Sequence, residues 1–317
     1  MTQVRIPAIT QEQVISFLTP RPRDSHKGMF GTAAIIGGDN GMAGAALLAG
    51  RAALKLGAGC VHVGLLADNA PGVDLQQAEL MVHNAEELLH TLPLPPAYVA
   101  GALAPCNLGV PLAGAAGEGA NVKSTINSLV LAIGCGMGHG LKAQKILHDA
   151  LKLEVALVLD ADALNILAKR PDLRSLLLTR KAPSIITPHP GEAARLLGID
   201  AEEVQSARAE TAQELARRMK CSVVLKGAGS LCVMADGKVW LNKTGNPGMS
   251  GPGMGDVLSG MIAAFIAQGL SPDNALLLAV HLHGAAGDAL AQQQASIGMT
   301  ASEVTEWARW LLNQWIK

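Results

Sequence analysis

Six short, nearly uninterrupted apolar runs recur along the chain: AAIIGG (33–38), CVHVG (60–64), SLVLAIG (128–134), VALVLD (155–160), SIITP (184–188) and SVVLKG (222–227). A strand with one face in water alternates apolar and polar residues. These runs do not, so both of their faces must be covered. Helical segments lie between them: GMAGAALLAGRAALKLGAG (41–59), Lys142 to Leu151, Gly191 to Leu197, and a longer one near Glu202 to Met219. Strand, helix, strand within about thirty residues is a βαβ unit. Its repetition predicts an α/β fold: a three-layer α/β/α sandwich with a mostly parallel central sheet.

The sheet should end differently. SLCVM and KVWLN flank ADGK, and Asp-Gly between two apolar runs signals a hairpin, hence an antiparallel edge. A short helix is expected over Thr10 to Leu18, capped by Thr10 with Gln13, then a polar loop, RPRDSHKGMFG. The last third reads as helical. One helix follows Asp256, a second starts at Ser271–Pro272 and runs to about Gln293, and a third follows Thr300, with Glu303 completing a capping box. Trp307, Trp310 and Trp315 lie on this last helix and serve either core packing or a subunit interface. Residues 94–124 are rich in Pro, Gly and Ala and read as a lid or an irregular connection. No composition break divides the chain, so a single domain over residues 1–317 is expected.

Hydrophobic residues make up 49% of the chain and charged residues 16%, enough for a large core. Twenty-five basic and 26 acidic residues leave a net charge of −1. That balance argues against nucleic acid or an anionic membrane surface as partner. Apolar stretches are broken well short of the ~18 residues a membrane span needs. The N-terminus, MTQVRIPAIT, lacks the apolar core of a signal peptide. The five cysteines (60, 106, 135, 221 and 232) show no metal-ligand spacing and read as reduced thiols of a cytoplasmic protein.

Ligands of open parallel sheets bind outside the carboxyl ends of the strands. The turns there read GGDNGMAG (37–44), GCGMGHG (134–140), DADALN (160–165), TPHPGE (187–192) and KGAGS (226–230). Each alone is weak; five on one rim point to a site. Two familiar nucleotide motifs are absent. In GCGMGHG the third glycine of G-x-G-x-x-G is replaced by His139, and around Gly237–Lys238 the P-loop pattern has Cys232 in place of its first glycine and Val239 after the lysine.

The densest feature is NPGMSGPGMGDVLSGM (246–261). Glycines let backbone amides approach a ligand, and a helix N-terminus adds unpaired N–H groups. GMGD running into a helix should turn the amides of Met254, Gly255 and Asp256 toward one point, an anion hole suited to a phosphoryl group. Asp256 can then take a hydroxyl proton, or it can be an ordinary helix N-terminal carboxylate.

Together, GTAAIIGGDNGMAGAALLAGRAALKLGAG, LDADALN, ITPHPGE, VVLKGAGS and NPGM followed by GMGDVLSGMIA resemble the ADP-dependent (S)-NAD(P)H-hydrate dehydratases, a family with a ribokinase-like fold. The match runs from about His26 to Gln293, with the motifs in the family's order. The resemblance implies cofactor repair: a hydroxyl left on the nicotinamide ring of hydrated NADH or NADPH is phosphorylated from ADP, and phosphate is eliminated. It implies Asp256 as base, with Met254 and Gly255 holding the phosphoryl group. It places hydrate at Ala45, Gly136, His189 and Asp256. It places ADP or AMP at Lys226, Gly227, Ala228, Gly229, Ser230 and Gly255. Mg²⁺ is implied, with Glu192 organising it through water or only capping a helix; Asp160 and Asp162 stand between the same two roles. Also implied are a homotetramer and cooperation with a separate hydrate epimerase, since too little chain precedes the match for an epimerase domain.

The chain departs from the family at Ser250-Gly251-Pro252-Gly253, where the usual hydroxyl is displaced by one position and Pro252 has no N–H. Two other readings stay open. One is a kinase of the same fold acting on a small alcohol of the hydroxymethylpyrimidine or hydroxyethylthiazole type. The other is a non-catalytic nucleotide-binding regulatory protein.

Overall fold

The computed structural model describes residues 6–92, 128–294 and 296–316. Nine strands are present: β1 (Thr32–Gly37), β2 (Cys60–Leu65), β3 (Met81–Asn84), β4 (Leu129–Ile133), β5 (Ala156–Leu159), β6 (Ser184–Ile186), β7 (Ser222–Leu225), β8 (Leu231–Val233) and β9 (Val239–Leu241). They form one sheet in the order β3-β2-β1-β4-β5-β6-β7-β8-β9. β3 through β7 pair in parallel, while β8 and β9 are antiparallel. The expected mostly parallel sheet with an antiparallel edge hairpin is therefore the observed one. The six apolar runs became strands for the anticipated reason: β4, β6 and β7 are buried along their whole length.

Helices cover both faces. On one side pack α1 (Gln11–Ile15), α2 (Ala43–Lys55), α10 (Met254–Ala267), α11 (Pro272–Gln293) and α12 (Ala301–Trp315). On the other lie α3 (Ala85–Thr91), α4 (Leu141–Leu151), α5 (Ala161–Lys169), α6 (Pro171–Thr179), α7 (Pro190–Leu197), α8 (Ala201–Ser206) and α9 (Arg208–Met219). Two apolar cores result, one on each face of the sheet. α10 runs almost entirely buried, packed on the sheet beside α2 and against α11. A side chain at Gly260 would run into the Ala49 carbonyl oxygen, so glycine sets how closely α10 and α2 approach.

Several boundaries differ from expectation. Strand β3 and helices α3 and α6 were not anticipated; β3 is only four residues, MVHN, and too polar to register as a buried strand. The segment near Glu202 to Met219 is two helices, because Ala207 (φ −132°, ψ 49°) leaves the helical region. α10 begins at Met254, two residues before Asp256. On α12 the half-buried Trp307, Leu311 and Trp315 share the core-facing side, whereas Trp310 turns to solvent with 52% of its surface exposed. The Pro/Gly/Ala-rich segment 94–124 and Cys106 lie outside the described residues. Among the described cysteines, 135, 221 and 232 are buried free thiols and Cys60 is half-buried. No helix of the described residues is long and apolar enough to cross a membrane.

Candidate active site

β1 has β2 on one side and β4 on the other, so the strand order reverses between β1 and β4. Such a switch point opens a crevice at the carboxyl ends of the strands. The two turns that flank it are bonded together: Gly38 N–H donates to the Cys135 carbonyl (2.8 Å) and Asp39 N–H to that of Gly136 (2.7 Å). Gly136 (φ 58°) has no room for a side chain; a Cβ there would lie 2.9 Å from Met42 Cβ and 3.0 Å from Ala45 Cβ. Ala45 and Gly136 thus meet across the crevice. Asp162 braces the second turn, accepting from Gly138 N–H (2.9 Å) and pairing with His139 Nε2 (2.9 Å).

Beneath the crevice lies a buried polar cluster. Asp160, 1% exposed, accepts from Lys226 Nζ (2.7 Å), Ser259 Oγ (2.8 Å) and the Ala161 amide (2.8 Å). It is also the N-cap of α5, and Ala161 after it has φ 46°, a strained value for a residue with a side chain. Burial alone would raise the Asp160 carboxyl, but Lys226 outweighs it and holds the group below the usual carboxylate range. The Lys226 ammonium is held high in turn: burial would lower it, and the Asp160 and Glu192 charges prevail. Asp256 and the Cys135 thiol complete the cluster, their ligand atoms and that of Asp160 all within 4.8 Å of one another. Burial, with the Asp160 charge added, pushes the Asp256 carboxyl up to about 6. The Cys135 thiol is pushed well up by burial and then by Asp256, so it stays protonated.

Gly253 (φ 84°, ψ −11°) turns the chain into α10, and no side chain caps this helix. Its first backbone bond is Val257 N–H to the Gly253 carbonyl (3.0 Å), which leaves the amides of Met254, Gly255 and Asp256 without a helical acceptor. At Gly255 a Cβ would lie 3.1 Å from Lys226 Nζ and 3.5 Å from Asp160 Oδ2, so this turn rests directly on the buried ion pair. Pro252, which lacks an N–H, is exposed and faces a neighbouring hollow bounded by Met299 and Thr300. Pro252 therefore faces away from the cavity, whereas the displaced hydroxyl residue, Ser250, lines it together with Met254 and Gly255.

His189 and Glu192 sit at the start of α7, joined in a capping box. Glu192 Oε2 accepts from His189 N–H (2.7 Å), and His189 Nδ1 accepts from Gly191 N–H (3.0 Å). Burial pushes the Glu192 carboxyl up, and burial with the nearby Lys226 charge keeps the His189 ring below its usual value, hence neutral. The ring is half-exposed toward a cavity of about 560 Å³. Residues 226–230 form one wall of this cavity, residues 242–247 a second, and Met254, Gly255 and Leu258 its floor. Of the residues singled out in the sequence, His189, Lys226, Gly227, Ala228, Gly229, Ser230, Met254 and Gly255 line this cavity. Asp256 lies beside it in the cluster with Asp160 and Cys135, the neighbour of Gly136, and Ala45 packs against Gly136.

A model of the NAD(P)H-hydrate dehydratase family matches residues 33–309. The chain belongs to this family. An ADP-dependent (S)-NAD(P)H-hydrate dehydratase of Neisseria meningitidis is 36% identical over 298 residues, covering 93% of this chain and 89% of its own. A bifunctional NAD(P)H-hydrate repair enzyme of Moorella thermoacetica is 39% identical over 298 residues, 94% of this chain and 52% of its own. The chain spans about half the length of the bifunctional relatives it matches. The crystal structure of the ADP/ATP-dependent NAD(P)H-hydrate dehydratase of Bacillus subtilis, co-crystallised with ATP/Mg²⁺, superposes with a TM-score of 0.77 at 29% identity, covering 99% of this chain and all of that one. The architecture is the ribokinase-like one.

Within this family member the sequence left three groups unnoticed. Ser259 lies on α10 one turn beyond Asp256 and reaches Asp160. The wall formed by residues 242–247 is tied to α11: Thr244 Oγ1 donates to the His281 carbonyl (2.9 Å), and Asp288 accepts from Gly245 N–H (2.9 Å) and Asn246 Nδ2 (3.1 Å). His283 lines the cavity, with its buried Nε2 lacking a partner among the described residues; burial and Lys226 push it down to about 4. A signal for this wall existed. Gly284 and Gly287 lie inside α11, and a side chain at either would run into Thr244 or Met249. Glycine inside a helix marks such close approach.

Proposed function

We propose that this chain dehydrates the S epimer of hydrated NADH and NADPH with ADP as phosphoryl donor, releasing NAD(P)H, AMP and phosphate. One observation supports the reading: the uncapped start of α10 puts Met254 and Gly255 on the wall of the Lys226–Ser230 cavity, and Asp256, next in the chain, clusters with Asp160 and Cys135, the neighbour of Gly136. Hydrate lies in the crevice, against Ala45 and Gly136, and extends to His189 on the rim of the cavity; ADP lies in the cavity, along Lys226, Gly227, Ala228, Gly229, Ser230 and Gly255.

The chemistry follows from this placement. Asp256, ionised above pH 6, accepts the proton of the ring hydroxyl. The oxygen attacks the terminal phosphorus of ADP, an O–P bond forms, and AMP leaves with the broken bond's electron pair. Charge on the transferring group faces the amides of Met254, Gly255 and Asp256, which are fixed in advance. Phosphate then departs with the C–O electron pair and a proton leaves the adjacent ring carbon, restoring the double bond. Hydroxide is a poor leaving group and phosphate a good one, which is why a phosphoryl donor is needed.

Mg²⁺ takes oxygen ligands and keeps several waters. Cys135 with Asp160 and Asp256 suits it poorly, since the thiol is protonated and Asp160 is already held by Lys226. Glu192, buried at the start of α7 near Lys226, would hold the ion through water, and the ion would neutralise phosphate charge. Assembly as a tetramer in the cytoplasm and supply of the S epimer by a hydrate epimerase belong to the same proposal.

The test is direct. Incubation with hydrated NADH and ADP should restore the absorbance of reduced nicotinamide with stoichiometric AMP. No recovery with either ADP or ATP rejects the reading, and phosphorylation of a thiamine-precursor alcohol instead favours the kinase.

A further inference from the structure

Helix α9 starts abruptly after Ala207, although no glycine or proline marks the break. The residue placed at its first position is Arg208, which reaches back to the loop after β7. Its Nη2 donates to three carbonyls, those of Leu225 (3.2 Å), Lys226 (3.4 Å) and Gly229 (3.3 Å). Its Nη1 donates to Gln205 Oε1 (3.2 Å), on the helix before the break. Gly227 (φ 141°) shows how tightly the fork is seated: a Cβ there would lie 2.9 Å from Nη1 and 3.1 Å from Nη2. The guanidinium fills the space a side chain would take.

We propose that Arg208 is a positioning residue that sets the conformation of the 226–230 loop for the phosphates of ADP, without touching the nucleotide itself. This rests on reading the adjoining cavity as the nucleotide site. The loop holds two glycines with positive φ, Gly227 and Gly229, and would otherwise be free to take many shapes. Drawing three carbonyls to one cation fixes three peptides: the Lys226 N–H of the first donates to the Pro188 carbonyl (2.9 Å), and the N–H groups of Gly227 and Ser230 are turned to the other side of the loop. The cation also polarises those peptides in the sense that favours an anion opposite. Lys226 cannot take over this task, because its ammonium is engaged by Asp160. A lysine at position 208 would supply a point charge in place of the planar fork that fits behind Gly227.

Isothermal titration with ADP on the full chain tests this. Arg208→Ala should weaken ADP binding at least tenfold, Arg208→Lys should fall between it and the native chain, and ethylguanidinium should restore part of the loss in Arg208→Ala. In turnover, KM for ADP should rise at least tenfold while KM for the hydrate moves less than twofold, a split that general loosening of the fold does not produce. If Arg208→Ala does not fold, Arg208→Lys and Arg208→Gln carry the same comparison. A folded variant that binds ADP within twofold of the native chain, or one whose two KM values rise together, overturns the proposal. A native chain that binds neither ADP nor ATP overturns the nucleotide reading of the cavity, and the proposal with it.

Discussion

Two helices, α7 and α10, begin at the same rim and are finished in opposite ways. α7 is closed by its own residues: Glu192 accepts from the His189 N–H and the His189 ring from the Gly191 N–H, which uses orphan donors of the first turn. α10 is left open: Gly253 offers no side chain, and three amides are without a helical acceptor. A helix start without a cap forgoes about 1 kcal/mol. That cost is tolerable where the free amides meet an anion during function. The difference separates a helix start that holds the fold from one that receives a ligand, a distinction that glycine content alone does not make.

The contrast is most directly broken at Asp256. Asp256→Asn keeps the shape but removes the base, and turnover should fall by about a thousandfold, within the usual range for a general base. ADP affinity, measured by titration, should change little; turnover near the native rate would show that the open start of α10 holds no base. Gly255→Ala is the next probe. Its new methyl presses on Lys226 Nζ from 3.1 Å and disturbs the anion hole, so turnover should fall by about a hundredfold. Thermal stability should hold or rise, since alanine suits a helix better than glycine by up to about 1 kcal/mol. Gly260→Ala, on the same helix, should do the reverse. Its methyl meets the Ala49 carbonyl and should destabilise the fold by about 1–3 kcal/mol while turnover per folded molecule is retained. Equal effects from both glycines would erase the distinction between the start of α10 and its packed middle.

A smaller and graded effect comes from pH. With the Asp256 carboxyl near 6, kcat/KM should drop about tenfold for each pH unit below that value, because only the ionised form accepts a proton. Stability should respond in the opposite sense. The folded carboxyl titrates near 6 and the unfolded one near 3.9, so between these values the folded state binds more protons. This group therefore favours folding as pH falls from 6 toward 4, and its burial in ionised form is a destabilising contribution above 6. Comparing melting temperature against pH for the native chain and Asp256→Asn isolates the contribution; identical curves would place the titration elsewhere.

Much of this was legible in the sequence because its determinants are local. Uninterrupted apolar runs gave a sheet covered on both faces, Asp-Gly gave the edge hairpin, and Thr300 with Glu303 gave the start of α12. Glycine-rich turns after the strands fell on one rim because parallel strands place their carboxyl ends together. What escaped was set by tertiary contact. The bonds from Asp160 to Lys226 and Ser259 join residues 66 and 99 positions apart, and nothing near any of the three announces the others. The break at Ala207 has no local marker either, and the Arg208 bonds that follow it reach residues 17 to 21 positions away. His189 shows the limit in the other direction. The turn TPHPGE identified it, but a loop histidine, a cap and a ligand contact look alike until the ring is placed, and here it caps α7 while facing the cavity.

The smallest expected effect bears on α7 itself. If its start only holds the fold, Glu192 matters as a hydrogen-bond acceptor and its charge is incidental. Glu192→Gln keeps an oxygen able to accept from the His189 amide, so stability should stay within about 0.5 kcal/mol of the native chain. The carboxylate is nonetheless buried beside Lys226 and pushed up by that burial, the setting in which a nearby cation is most useful to it. Loss of the charge should therefore raise the Mg²⁺ concentration for half-maximal turnover several-fold without altering the melting temperature. A Glu192→Gln chain with native Mg²⁺ dependence would return this residue to the cap alone and leave the open start of α10 as the one helix terminus at this rim that takes part in the reaction.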